Sequence, residues 1–260
     1  MSAGSRTAAQ DGQQAHRAAL SRAAAAAFPA GEYVGQESFV RASEVRRLAA
    51  RAGIGPGVAV LDICCGTAGP GRMLTAELGC RYRGVDSSAG ALAAARELAG
   101  DLPCSFERAQ VPPLPDGPAD VVLLLETMLA FGDKAALLAE VARVLGDGGR
   151  FACTLEEGPP LTAAERERMP AADTVRLVGL GELTVLLGAA GLTVTHREEW
   201  TAAHAATAAA LLRCYRAASD ELGDRIGAGA LADLLAAHEL WADWLARGRV
   251  RKYALVAQKR

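Results

Sequence analysis

A glycine-rich turn flanked by two acidic residues is the segment of this sequence best suited to ligand binding. The turn carries Gly66, Gly69 and Gly71, Asp62 precedes Gly66 by four residues, and Asp86 follows it by twenty. Glycine lets a backbone approach a ligand closely and adopt a positive φ. The spacing matches neither the GxGxxG pattern of dinucleotide sites nor the GxxxxGK[ST] phosphate loop. Since Asp62 would repel a pyrophosphate, the pattern favours a positively charged, nucleoside-like ligand.

The second acid, Asp86, ends a predicted strand. A carboxylate at this distance from the turn can accept hydrogen bonds from both hydroxyls of a ribose. A strand-end acid, a glycine-rich turn and a ribose acid together fit S-adenosylmethionine (SAM). This cofactor carries a sulfonium, an amino acid part and a ribose.

Short apolar strands alternate with amphipathic helices from residue 58 onward, a pattern typical of a parallel sheet covered by helices on both faces. In such a sheet, ligands bind at the carboxyl ends of the strands. Between residues 203 and 247 we predict a hairpin of two helices, inserted before the last strand. The predicted strands cover residues 58–62, 82–86, 105–108, 120–125, 150–155, 192–196 and 250–258.

The chain resembles the class I SAM-dependent methyltransferases over roughly residues 55–200. Four segments carry the resemblance, in the family's order and spacing: VLDICCGTAGPGR, GVDSSAGALAAAREL, ADVVLLLETMLAF and VLGDGGRFACTL. The resemblance implies an α/β fold with a doubly wound, seven-stranded, mostly parallel Rossmann-like sheet. It also implies that the last strand is antiparallel and that SAM lies over the first strand.

The resemblance further implies which residues bind the cofactor. The turn would hold the methionine part, Asp86 the ribose, and an N-terminal segment would close over SAM. Cys64 and Ala68 stand where the family usually has glycine, and Gln110 stands where many relatives have an adenine-contacting Asp. The implied cofactor-binding residues are Tyr33, Gln36, Asp62, Cys64, Gly66, Asp86, Ser87, Gln110 and Glu126.

Three residues are candidates for acid–base chemistry on the acceptor: Glu126, Glu157 and His204. Glu126 follows the fourth strand, where methyl donor and acceptor should meet, and it is a candidate base or acceptor anchor. Its alternative roles are a contact to the cofactor amine or a loop salt bridge. Glu157 shares a strand end with Glu156, and because strand side chains alternate, one of the two should face the pocket. His204 begins the helical insertion.

Residues 1–50 are predicted to form a flexible segment and a helical lid, and residues 51–260 the SAM-binding domain. The favoured activity is methyl transfer to an O, N or C nucleophile of a small molecule, with a specialised metabolite as the expected acceptor. Two alternatives stay open. One is a cyclase, isomerase or decarboxylase on the same fold. The other is a non-catalytic partner subunit that uses Trp241 and Trp244 as its interface.

Composition argues against other classes of function. The chain carries 28 Lys+Arg against 30 Asp+Glu, so it lacks the basic balance typical of nucleic-acid binding. Its six cysteines form no CxxC pair, and we expect no metal site. No apolar run reaches the roughly 18 residues of a membrane span. We therefore expect a cytoplasmic protein, monomeric or homodimeric, with no membrane or nucleic-acid partner.

Overall fold

A sheet of seven strands forms the centre of the structure, a computed structural model that describes residues 15–260. Of the predicted flexible segment and lid over residues 1–50, residues 1–14 lie outside this range. The strands are β1 (Ala59–Ile63), β2 (Arg81–Asp86), β3 (Cys104–Arg108), β4 (Ala119–Leu124), β5 (Leu145–Glu157), β6 (Leu192–Glu199) and β7 (Arg251–Lys259).

Helices pack on both faces of this sheet, as the alternating pattern predicts. The helices that precede β6 are α1 (residues 15–25), α2 (Ala42–Ala52), α3 (Gly69–Leu78), α4 (Ala89–Ala99), α5 (Lys134–Val144), α6 (Ala163–Arg168) and α7 (Leu180–Ala189). Between β6 and β7 lie α8 (Thr201–Ala217), α9 (Ser219–Ile226) and α10 (Ala228–Ala246).

The prediction of two helices in this insertion was therefore wrong by one. The chain leaves helical geometry at Ala218, and α9 ends at Gly227, whose φ of 88° a helix does not accommodate. The short helix α9 lies between these two breaks.

The strands run in the order β3-β2-β1-β4-β5-β7-β6, and β7 is antiparallel to both its neighbours. This confirms the predicted fold class. The strand order reverses between β1 and β4, and at such a switch point the loops diverge and leave a crevice. Because β7 runs opposite to β5, its first residues lie at the carboxyl edge of the parallel strands.

The central strands β1 and β4 are almost entirely buried, as expected for strands covered on both faces. One apolar cluster packs between the sheet and helices α5 and α7, and another between the sheet and helices α2 and α3. Two further clusters join α8 and α10 to the loop before α7 and to α1. These last helices cover the carboxyl edge of the sheet. Within residues 15–260, none of the helices is long and apolar enough to cross a bilayer.

Candidate active site

The turn between β1 and α3 adopts a left-handed backbone at three positions. Cys64, Gly66 and Ala68 have φ values of 61°, 55° and 56°. Cys64 and Ala68 thus take the conformation that glycine adopts most readily, at the two positions where the family usually has glycine. A Cβ at Gly66 would meet no atom within 4 Å, so the backbone there is open to a ligand.

Asp62, at the end of β1, is buried below this turn and accepts a 2.6 Å hydrogen bond from the Tyr82 hydroxyl. The Tyr82 ring lies against Gly71, where a Cβ would stand 2.1 Å from it, so the glycine makes room for the tyrosine. Burial raises the pKa of Asp62 to about 7, and the negative charge of Asp86 adds to the rise. A cation beside Asp62 would reverse this effect.

Asp86, at the end of β2, holds the turn from the other side. Its carboxylate accepts the backbone N–H groups of Gly66 and Ser88 at 2.9 and 2.8 Å. A carboxylate has about four acceptor positions, so capacity for two hydroxyls remains. Ser87 and Gln110 are exposed nearby; the Ser87 carbonyl accepts the Arg108 guanidinium at 3.0 Å.

The N-terminal segment packs directly on the turn. A Cβ at Gly69 would stand 2.3 Å from the Val34 carbonyl oxygen, and the Thr67 hydroxyl donates to the Gly35 carbonyl. Gln36 is buried, and its amide binds the backbone of Val34, Glu32 and Val40. This side chain therefore stabilises the segment itself. Tyr33 packs on Phe28 and shares a 2.8 Å hydrogen bond with Ser21 of α1.

A cavity of about 800 Å³ extends from the turn to the helices that cover it. Its wall includes Thr67 of the turn, Tyr33 and Phe39 of the N-terminal segment, and Tyr215 and Trp241 of α8 and α10. Trp241 therefore faces the cavity, and Trp244 is buried in the same cluster. These two side chains do not form the exposed partner surface that the sequence left open.

Three ionisable residues form the floor of the cavity: Glu126, Glu156 and Lys252. The Lys252 ammonium is 2.7 Å from Glu126 Oε1 and also donates to Glu156 Oε1. Glu126 follows β4 with a φ of 59°, and its backbone N–H donates to the Thr154 hydroxyl. Although burial alone would raise its pKa, the charges of Lys252 and His204 outweigh that effect and lower it.

His204 lies behind this floor and is fully buried. Its Nδ1 is 3.8 Å from Glu126 Oε2, its Nε2 is 3.1 Å from Glu44 Oε2, and its ring stacks on Trp200. It is not among the residues that line the cavity. His204 can therefore act on an acceptor only through Glu126.

The structure places the candidate catalytic residue Glu157 outside the cavity. Its carboxylate pairs with Arg251 at 2.9 Å, and it does not line the cavity. Glu156 is the member of the pair that does. The alternation rule was sound, but the sequence alone did not say which face of β5 the cavity occupies.

Sequence reasoning missed Lys252 and Glu44. Lys252 is directly opposite Glu156 in the antiparallel pairing of β5 and β7. Its signal was available, because it is one of three lysines in the chain and stands at the start of an apolar strand. Glu44 lies in α2, and no local pattern marks it.

Comparison with known proteins finds methyltransferases over part of the chain. Residues 60–149 match a family model described as a methyltransferase domain. A 2-methyl-6-phytyl-1,4-hydroquinone methyltransferase of Synechocystis is 35% identical over 97 residues, which are 36% of this chain and 30% of that protein. Residues 60–149 thus carry a methyltransferase domain, in line with the resemblance to the class I SAM-dependent methyltransferases. The segment 60–149 holds the turn, Asp62, Asp86 and Glu126. The chain spans about 30% of the length of the curated relative that it matches.

Solved structures share the fold of this chain. A cyclopropane synthase of Mycobacterium tuberculosis superposes with a TM-score of 0.79 at 15% identity, over 96% of this chain and 98% of that one. The [4+2]-cyclase SpnF superposes with a TM-score of 0.71 at 22% identity, over 89% and 84% of the two chains. At these identities the likeness shows the fold.

SAM is the cofactor that the methyltransferase match indicates, and the residues at the turn fit it. Asp86 keeps acceptor capacity for the ribose, the backbone at Gly66 is open, and Asp62 offers a carboxyl to a cationic amino acid part. Within residues 15–260, no cluster of His, Cys, Asp and Glu has the arrangement of a metal site.

Proposed function

We propose that this chain transfers the methyl group of SAM to an O, N or C nucleophile of a small molecule. The observation that carries the proposal is the cavity, which joins the cofactor turn at Thr67 to the charged floor at Glu126 and Glu156. SAM supplies a methyl carbon already activated by its sulfonium, so the protein has to align the reactants and exclude water.

Each part of the site has a role in this proposal. Asp62, Cys64 and Gly66 hold the methionine part, Asp86 and Ser87 the ribose, and Gln110 the adenine. The N-terminal segment with Tyr33 and Gln36 closes the site over the cofactor. Glu126 faces the acceptor, and His204 positions it. The 51–260 domain binds SAM, and α1 with the insertion of α8, α9 and α10 encloses the acceptor.

The volume of the cavity supports a small-molecule acceptor over a macromolecule. A cavity of about 800 Å³ falls within the usual range for small ligands and is largely lined by apolar and aromatic side chains. A specialised metabolite as acceptor, a cytoplasmic location, and a monomer or homodimer remain part of the proposal.

Calorimetric titration with SAM and with S-adenosylhomocysteine (SAH) tests the cofactor site first. We expect micromolar binding of both, and an acceptor screen by mass spectrometry then seeks a gain of one CH₂. Glu126→Gln should keep SAM affinity and slow turnover, whereas Glu157→Gln, outside the cavity, serves as its matched control. A folded chain that binds neither SAM nor SAH would refute the proposal.

A non-methylating reaction is the second candidate, because a [4+2]-cyclase shares the fold. The left-handed geometry at Cys64 and Ala68 supports retention of the cofactor turn, which methyl transfer requires. Product mass separates the two activities. A product isomeric with its substrate, or lighter by CO₂, would indicate the second candidate.

A further inference from the structure

We propose that the acceptor is an apolar molecule with an amine, and that the amine N–H donates to Glu156 Oε2 at the cavity floor. This inference rests on the proposed methyl transfer and adds the class of substrate. It depends on an unpartnered oxygen, the charge of the floor, and the aromatic wall beside it.

Glu156 carries the first argument. Its side chain is 4% exposed, it lines the cavity, and its Oε1 is bound to the Lys252 ammonium. Its Oε2 is buried and has no hydrogen-bond partner among the described residues. An unpartnered buried carboxylate oxygen costs free energy, and a ligand that donates a hydrogen bond there removes this cost.

The charges that line the cavity determine which ligand charge is favoured. Four carboxylates line the cavity, those of Glu37, Glu97, Glu126 and Glu156, against two cations, Arg17 and Lys252. The Lys252 ammonium is already engaged by Glu126 and Glu156. Lys134 also acts on Glu156, but its ammonium is bonded to the carbonyls of Phe131 and Arg176, and it does not line the cavity. An anionic acceptor would therefore meet an uncompensated carboxylate, whereas a donor or a cation is favoured.

The aromatic wall beside the floor gives the third argument. The Phe39 ring lies 6.4 Å from both the Trp241 ring and the His204 ring, and His204 in turn contacts Glu126. The Tyr215 and His238 rings are 4.9 Å apart in the same wall. Aromatic faces attract ammonium groups and pack against apolar bodies. The apolar body of such an amine would pack against the aromatic wall, and its N–H would donate a hydrogen bond to the floor.

The reaction balances for this acceptor. The proton of the ammonium form passes to Glu156, and the freed nitrogen lone pair forms the bond to the methyl carbon. The carbon–sulfur bond breaks, its electron pair stays on sulfur, and SAH leaves. The methylated nitrogen takes on the positive charge that the sulfonium loses, beside carboxylates that stabilise it.

Binding of three matched probes tests the class of acceptor. Tryptamine, tryptophol and indoleacetate share one ring system and differ in the amine, hydroxyl or carboxylate at the end of the chain. Ligand-observed NMR titrations are made on the whole chain saturated with SAH. We expect tryptamine to bind about tenfold more tightly than tryptophol, as a hydrogen bond to a charged group implies, and indoleacetate to bind most weakly.

Variants of two neighbouring residues test whether Glu156 causes the preference for tryptamine over tryptophol. Glu156→Gln should bring tryptamine and tryptophol within about threefold of each other, and Glu157→Gln, next in sequence but outside the cavity, should keep the wild-type ratio. Tryptophol or indoleacetate binding as tightly as tryptamine to the wild-type chain would overturn the inference. So would the absence of tryptamine binding in a chain that still binds SAH. Loss of SAH binding itself would instead count against the proposed function.

Discussion

The raised pKa of Asp62 predicts that the free energy of unfolding falls as pH rises, and that the substitution Asp62→Asn removes this part of the pH dependence. Burial raises this pKa to about 7, while an unfolded Asp has a value near 4. The folded state therefore holds a proton that the unfolded state has lost in this range. Stability falls as pH rises from the unfolded pKa to the folded pKa, and the fall ends only above the latter.

The size of the effect between pH 6 and pH 8 follows from these values. At pH 6 the folded carboxyl is mostly protonated and at pH 8 mostly ionised, while the unfolded one is ionised at both. Between pH 6 and pH 8, Asp62 alone should therefore lower the free energy of unfolding by about 1.4 kcal/mol, the free energy that corresponds to one pKa unit. Asp62→Asn, which can still accept from the Tyr82 hydroxyl, should lack this component.

Urea denaturation at pH 6, 7 and 8 measures the slope. The comparison uses the wild type, Asp62→Asn, and the exposed control Asp147→Asn. Contributions of other groups to the slope are common to all three proteins and cancel in the difference. Equal slopes in the wild type and Asp62→Asn would refute the assignment.

The remaining predictions concern the ribose acid, the buried lysine and a thiol in the turn. Asp86→Ala should weaken SAM binding by about 1.5–3 kcal/mol, measured by calorimetry, and unchanged affinity would contradict the ribose role. Lys252→Met should cost about 3–5 kcal/mol in urea denaturation, because it removes the ammonium that pairs with two buried carboxylates. Its control, Arg251→Met, removes an exposed pair and should cost at most about 1 kcal/mol, so similar losses would argue against a buried charge cluster. Since burial raises the pKa of Cys64 to about 12, the native chain at pH 8 should alkylate there at least about a hundredfold more slowly than a free thiol, and labelling at a free-thiol rate would show an open turn.

The cofactor half of the fold was predictable because its signals are local. A strand, a glycine-rich turn and a helix follow one another within a few residues, and Asp62 and Asp86 end adjacent strands. The period of the apolar residues located these strands, and their parallel pairing brought both acids to one edge. The local sequence did not predict a positive φ at Cys64 and Ala68, because neither residue type favours this conformation.

The acceptor half was only partly predictable. Glu126 was found because it ends a strand of the same edge. Glu156 was weighed with Glu157, but the face of β5 depends on which helices cover it. The position of His204 behind Glu126 requires the packing of α8 against α2, and this packing is not encoded by any spacing along the chain.

The sequence by itself determined the fold family, the cofactor turn and the charge of its edge, since each follows from residues close together in the chain. Only the tertiary structure decided how the cavity floor is built. Glu126, Glu156 and Lys252 are separated by up to 126 positions, and they meet because β7 is inserted antiparallel between β5 and β6. That insertion turns the first residues of β7 toward the carboxyl ends of β4 and β5, where a lysine neutralises one of two buried carboxylates.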